Sequence, residues 1–168
     1  EMNKELEKNI LKLQQEDPKG LEKTNYVGWH SQVDMQNKPE YQQLISHLFH
    51  MAQEIFNKEQ LEPTVALGNM WANINYPGCY NRPHIHPNSL FSGVYFIKTP
   101  QKSGNLMVYD PRPGVQMAMP NRKKEQLQSE LWREVHYEPV AGRCIMFPSW
   151  LWHEVKHCLL YTSPSPRD

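Results

Sequence analysis

Apolar residues near the start of the chain recur at helical intervals: Met2, Leu6, Ile10 and Leu13 fall four, four and three positions apart, with Lys, Glu and Gln between them. This spacing predicts an amphipathic helix over residues 2–15. Asp17-Pro-Lys-Gly20 ends it, because Pro18 cannot continue the hydrogen-bond ladder and Gly20 suits a left-handed cap. A stronger helical period follows from Pro39, which fits a first turn, through Tyr41, Leu44, Ile45, Leu48, Met51, Ala52, Ile55 and Phe56. A stripe of this kind serves packing, and the helix is expected on the outside of a sheet.

From about Val65 the period changes. Short runs bounded by Gly, Pro and Asn occupy residues 65–76, 81–86, 92–98, 104–109, 131–138, 142–147 and 152–156, with few helical stretches between them. Such spacing predicts antiparallel strands in a sandwich and argues against a parallel sheet. Residues 111–126, with Pro111, Pro113, Gly114, Pro120 and the polar run Asn121-Arg-Lys-Lys-Glu125, read as a long loop and a candidate substrate lid.

Composition narrows the class. A chain of 168 residues is long enough for one domain with a real core and too short for two. Lys+Arg and Asp+Glu number 18 each, so no net field favours nucleic acid or anionic lipid, and neither partner is indicated. No apolar run approaches the roughly 20 residues that span a bilayer, and no signal-peptide pattern opens the chain, so the expected address is the cytoplasm. Cys79, Cys144 and Cys158 are odd in number and lack a CxxC spacing, which argues for reduced thiols. Glu1, where an initiator methionine would stand, suggests a start that is missing or trimmed.

The candidate chemistry lies in His84-Ile-His86. Residues two apart on an extended strand face the same way, so His84 and His86 would present their rings side by side while Ile85 turns away. This is a metal-ligand spacing, and His153, in its own apolar run, is the best third donor. His30, His47, His50, His136 and His157 are read as ordinary packed or surface histidines.

These motifs carry a resemblance. Pro77-Gly78, His84-Ile-His86, Ser92-Gly-Val-Tyr-Phe-Ile97, Ser103-Gly-Asn-Leu-Met-Val-Tyr-Asp-Pro-Arg112 and Gly142 through Phe147-Pro-Ser-Trp-Leu-Trp-His153-Glu-Val, in that order, resemble the Fe(II)- and 2-oxoglutarate-dependent oxygenases. Within them the chain is similar to a small branch found in phages and bacteria. The resemblance covers about residues 20–157, and Thr24–Ser31 looks like that branch's opening segment as much as a loop anchored by Trp29. It implies a mainly β fold, a double-stranded β-helix or jelly roll over residues 1–157, with the N-terminal helices packed outside. It also implies Fe(II), 2-oxoglutarate as co-substrate, and hydroxylation of an unidentified small-molecule or peptide substrate.

Three expectations follow from where the chain departs from the family pattern. His86 stands where a carboxylate is expected, so the ligand set is either three histidines or two with Asp110, which otherwise supports a ligand histidine. Tyr76 and Phe96 map onto positions that line the co-substrate pocket in relatives, although Phe96 lacks a hydroxyl, and ordinary inward-facing aromatics would look the same. The basic residue that relatives use to hold the far carboxylate of 2-oxoglutarate falls about ten positions past His153, where Thr162, Ser163 and Pro164 stand. Residues 158–168 resemble a translated sequencing-library adapter and are expected to be a non-native tail on a chain truncated before its last strand. Two alternatives remain: a cupin-like three-histidine metalloprotein, acting as an isomerase or as a dioxygenase independent of 2-oxoglutarate, and a non-catalytic jelly-roll binding module.

Overall fold

The computed structural model describes residues 1–62, 66–115, 117, 128–129 and 132–157. They fall into two compact units, one of residues 1–23 and 28–74, the other of 24–27 together with the chain from 75 onward.

The first unit holds the helices. The stripe of Met2, Leu6, Ile10 and Leu13 folds as α1 (Met2–Glu16), with Leu6 and Ile10 buried. The loop after it is fastened by side chains as well as by Pro18: Asp17 accepts the Gly20 N–H on Oδ1 at 3.2 Å and the Trp29 indole N–H on its carbonyl at 2.8 Å. Single turns at Met35–Asn37 and Pro39–Tyr41 lead into α2 (Gln42–Lys58), which buries Leu44, Ile45 and Phe56. The segment predicted as a loop contains β2 (Trp29–His30), paired antiparallel with β3 (Asn73–Ile74). Of the run expected as a strand over 65–76, only Asn73 and Ile74 form strand structure among the described residues. The stretch before them is held by an isolated bridge between Met70 and Asp34 and by paired bonds: Met70 O accepts the Met35 N–H and its own N–H donates to Gln36 Oε1, while Ala72 O accepts the Ser31 N–H and its N–H donates to Ser31 Oγ.

The second unit is built of antiparallel strands: β1 (Asn25–Tyr26), β4 (Tyr80–His84), β5 (Phe91–Tyr95), β6 (Leu106–Tyr109), β7 (Glu134–Tyr137), β8 (Cys144–Pro148) and β9 (His153–Val155). They make a five-stranded sheet in the order β1-β4-β9-β6-β7 and a separate β5–β8 pair. With β2 and β3 in the first unit, every pairing between these nine strands of the described residues is antiparallel, and the fold class is mainly β, a double-stranded β-helix preceded by two helices. In the larger sheet Leu106, Met107 and Val108 of β6 are buried, as a central strand requires. Gly104, just ahead of β6, meets the end of β9 so closely that an added Cβ would stand 1.7 Å from the Lys156 carbonyl oxygen. Only glycine fits there.

The candidate lid over 111–126 falls mostly outside the described residues, as do Cys158 and the whole of the 158–168 tail. Cys79 and Cys144 are free thiols. No described helix is long and apolar enough to cross a membrane.

Candidate metal centre

Two strands of the larger sheet bring the first two histidines together. β4 and β9 pair with Asn81 opposite Val155 and His84 opposite His153, so three steps along β4 match two along β9. The extra residue is a β-bulge, and Pro83 lies inside it, where the missing N–H takes nothing from the ladder. Its effect on side-chain direction is large. Val155 and His153 are two apart and share a face, and directly opposed residues share a face, so Asn81 and His84 point the same way although three residues separate them. In an unbroken register Pro83 would stand opposite His153. On its other side His153 is flanked by Val108, and Val155 by Leu106, both buried. The next residue along, Glu154, faces the opposite side of the sheet, where its carboxylate accepts from the Tyr109 hydroxyl and meets the Lys156 ammonium at 2.7 Å.

His86 arrives by a different route. β4 ends at His84, so simple strand alternation does not carry the third ring into place. Its backbone N–H instead donates to the Ser149 carbonyl at 3.0 Å, one residue past β8. The rings of His84 and His86 therefore stand edge to face, 4.9 Å apart with 88° between their planes, and not side by side as expected. The His153 ring lies 4.2 Å from that of His84 and 5.0 Å from that of His86. One nitrogen from each ring lies within 4.8 Å of the others, a group able to hold a metal ion.

The protonation state suits ligation. His84 Nδ1 lies 2.7 Å from the Arg82 carbonyl and His153 Nδ1 lies 2.8 Å from the Leu151 carbonyl. A carbonyl can only accept, so each Nδ1 carries the proton and each Nε2 keeps its lone pair, with the ring orientation fixed from behind. Burial pushes the pKa of His84 and of His86 down. For His153, burial and the two neighbouring imidazoles outweigh the Leu151 bond and bring the value to about 4. Three neutral imidazoles are donors of the kind that bind divalent iron, zinc or copper, so the residues fit the metal that the sequence implies. The Phe147 ring, buried on β8, packs 4.6 Å from His153 and closes that side with apolar surface.

Asp110 is not part of the described cluster. Its carboxylate is occupied by Arg112, with Nε 2.9 Å from Oδ1, Nη2 2.5 Å from Oδ2 and the backbone N–H 3.0 Å from Oδ1. Those bonds hold its pKa at about 2. Tyr76 is 48 % exposed, in the turn where its carbonyl accepts the Cys79 N–H. Phe96 continues the β5–β8 ladder through its bonds with Arg143 and Gly142, and by alternation falls on the face of that pair shared by Ser92 and Phe147. The five histidines read as ordinary stay out of the cluster. His30 bonds the Ser31 carbonyl and stacks on Trp71, His50 meets Glu54, His136 meets Glu134 and His157 packs on Tyr80. Sequence reasoning missed Phe147 and Ser149 as supports of the site, although both lie in the Phe147-Pro-Ser-Trp run that carries the resemblance. The bulge was signalled only by a proline inside a strand.

Comparison with known proteins bears on the same residues. No curated protein sequence matches the chain significantly. Among solved structures it is similar to a prolyl-4-hydroxylase of Pseudomonas putida, with a TM-score of 0.64 and 17 % sequence identity over 93 % of this chain and 78 % of that one. At that identity the likeness is one of fold. The model of a protein family described as "Putative 2OG-Fe(II) oxygenase" matches residues 69–160. That span is more than half of the 168 residues and contains all three clustered histidines, and the chain belongs to this family of 2-oxoglutarate- and Fe(II)-dependent oxygenases.

Proposed function

We propose that the chain is a 2-oxoglutarate-dependent dioxygenase that holds Fe(II) through His84, His86 and His153 and hydroxylates a small-molecule or peptide substrate. The convergence of these three rings, two with Nδ1 committed to a backbone carbonyl, is the observation that carries the reading. Iron with 2-oxoglutarate supplies the chemistry when bound: oxidative decarboxylation of the co-substrate to succinate and carbon dioxide, coupled to hydroxylation of a C–H bond. The protein's part is to keep the imidazoles neutral, aim them, and exclude water from one side with Phe147. Because the similar structure is a prolyl-4-hydroxylase, a proline-containing peptide is the first substrate to try.

Iron-reconstituted protein should form succinate from 2-oxoglutarate under air, slowly without the right substrate, and His153→Ala should not. A specific feature favours the second reading, a three-histidine dioxygenase or isomerase of cupin type: the described cluster contains no carboxylate. Stoichiometric iron with no succinate would decide for it.

A further inference from the structure

Ser149 is fully buried, at 0 % exposure, and its backbone and side chain both reach into the segment that carries His86. Its N–H donates to the Leu90 carbonyl at 3.1 Å, which extends the β5–β8 ladder by one pair, and its own carbonyl takes the His86 N–H at 3.0 Å. Its hydroxyl lies 2.6 Å from that of Ser92. The loop from His86 to Ser92 is thus fastened at both ends to one residue. This matters for His86 in particular, since the ladder that sets His84 against His153 stops at His84. Any residue but proline at 149 could offer the backbone bonds, but the bridge to Ser92 needs a hydroxyl on each side, and a buried hydroxyl that loses its partner pulls its surroundings toward a new one. Two residues earlier, Phe147 touches the His153 ring, so the end of β8 supports two of the three histidines.

We infer that the Ser92–Ser149 hydroxyl bridge positions His86 for metal binding, which makes Ser92 and Ser149 positioning residues of the site. The inference rests on the reading that the three histidines hold a divalent metal. It is tested by titrating Co(II), followed by its ligand-field absorption, into metal-free wild type, Ser92→Ala, Ser149→Ala, Ser92→Thr, His86→Ala and the Ser92→Ala/His86→Ala double variant. Removing either hydroxyl should weaken Co(II) binding about tenfold or more, as loss of a group that orients a ligand does. Ser92→Thr, which keeps the hydroxyl, should bind as wild type. In the His86→Ala background Ser92→Ala should add nothing, because the residue it positions is gone. If wild type binds no Co(II), the three-histidine reading itself falls. If wild type binds but both alanine variants bind equally well, or if Ser92→Ala weakens binding as much without His86 as with it, the positioning role is overturned and the three-histidine reading stands. Should Ser149→Ala fail to fold, the Ser92 variants carry the test alone.

Discussion

In the β5–β8 pair the two strands meet in unbroken register, from Phe91 opposite Pro148 to Tyr95 opposite Cys144. β4 and β9 in the larger sheet slip by one residue between Asn81 and His84, and two of the clustered histidines, His84 and His153, sit at the slip. The regular pair carries none of the clustered histidines, yet the site leans on it: Phe147 packs on His153, and Ser149, one residue beyond β8, holds the backbone of His86. One sheet thus re-aims the donors and the other braces them. A bulge is tolerable at a ligand position because an ordered ladder stands beside it to limit how far the chain can relax.

This division can be broken most sharply at the donors. His84→Ala and His153→Ala should each lose most of the bound iron by elemental analysis, while His136→Ala, on β7 of the same sheet, should keep it. Next in size is the contact between the sheets. Phe147→Ala should cost about 3–5 kcal/mol in urea unfolding, as deletion of a buried phenyl ring does, and should weaken metal binding through the unsupported His153 ring. A matched pair of glycine substitutions then sharpens the contrast. Gly104→Ala should destabilise by about 3 kcal/mol, because its Cβ would collide with the Lys156 carbonyl, a backbone atom on the strand of His153. Gly93→Ala in the regular pair would press on the Met146 side chain at 3.2 Å, with the Ile145 carbonyl at 3.4 Å in ordinary contact, and should cost less than about 1 kcal/mol. Equal costs would remove the distinction between the sheets. A small effect of opposite sign is expected beside β1, where Val27, a β-branched residue 78 % exposed, holds a φ of +62°. Val27→Gly should raise stability by about 1 kcal/mol, read as a higher melting temperature.

The parts of the fold that were legible in the sequence are those governed by local pattern. α1 and α2 follow from apolar stripes, and β4 to β9 each fall within or beside a run bounded by Gly, Pro or Asn. β1 and β2 were not legible, because two-residue strands are too short to show alternation and are defined by their partners, Tyr80–Asn81 and Asn73–Ile74. The three histidines could be picked from residue type and spacing, but the reason they meet could not. Alternation predicted His84 and His86 on one face of one strand, whereas a bulge places the first and a bond to Ser149 the second. Both depend on partners far along the chain. The Arg112 grip on Asp110 was equally invisible, since sequence shows a carboxylate near the right place and not what already occupies it.

The opposition of His84 and His153 has a consequence for the order in which the molecule assembles. His84 and His86 leave the ribosome together, but their partner is 67 positions behind His86. Closing so long a span costs entropy before any contact repays it, and antiparallel pairing between distant segments is among the slower events of folding. A nascent chain that has reached β7 therefore holds two donors and no site. Metal captured at that stage would be weakly held and free to exchange, and only the arrival of β9 turns the histidines into a set. Tight metal uptake should thus mark the completed β-helix, and by mass action the ion would then favour that state over every earlier one.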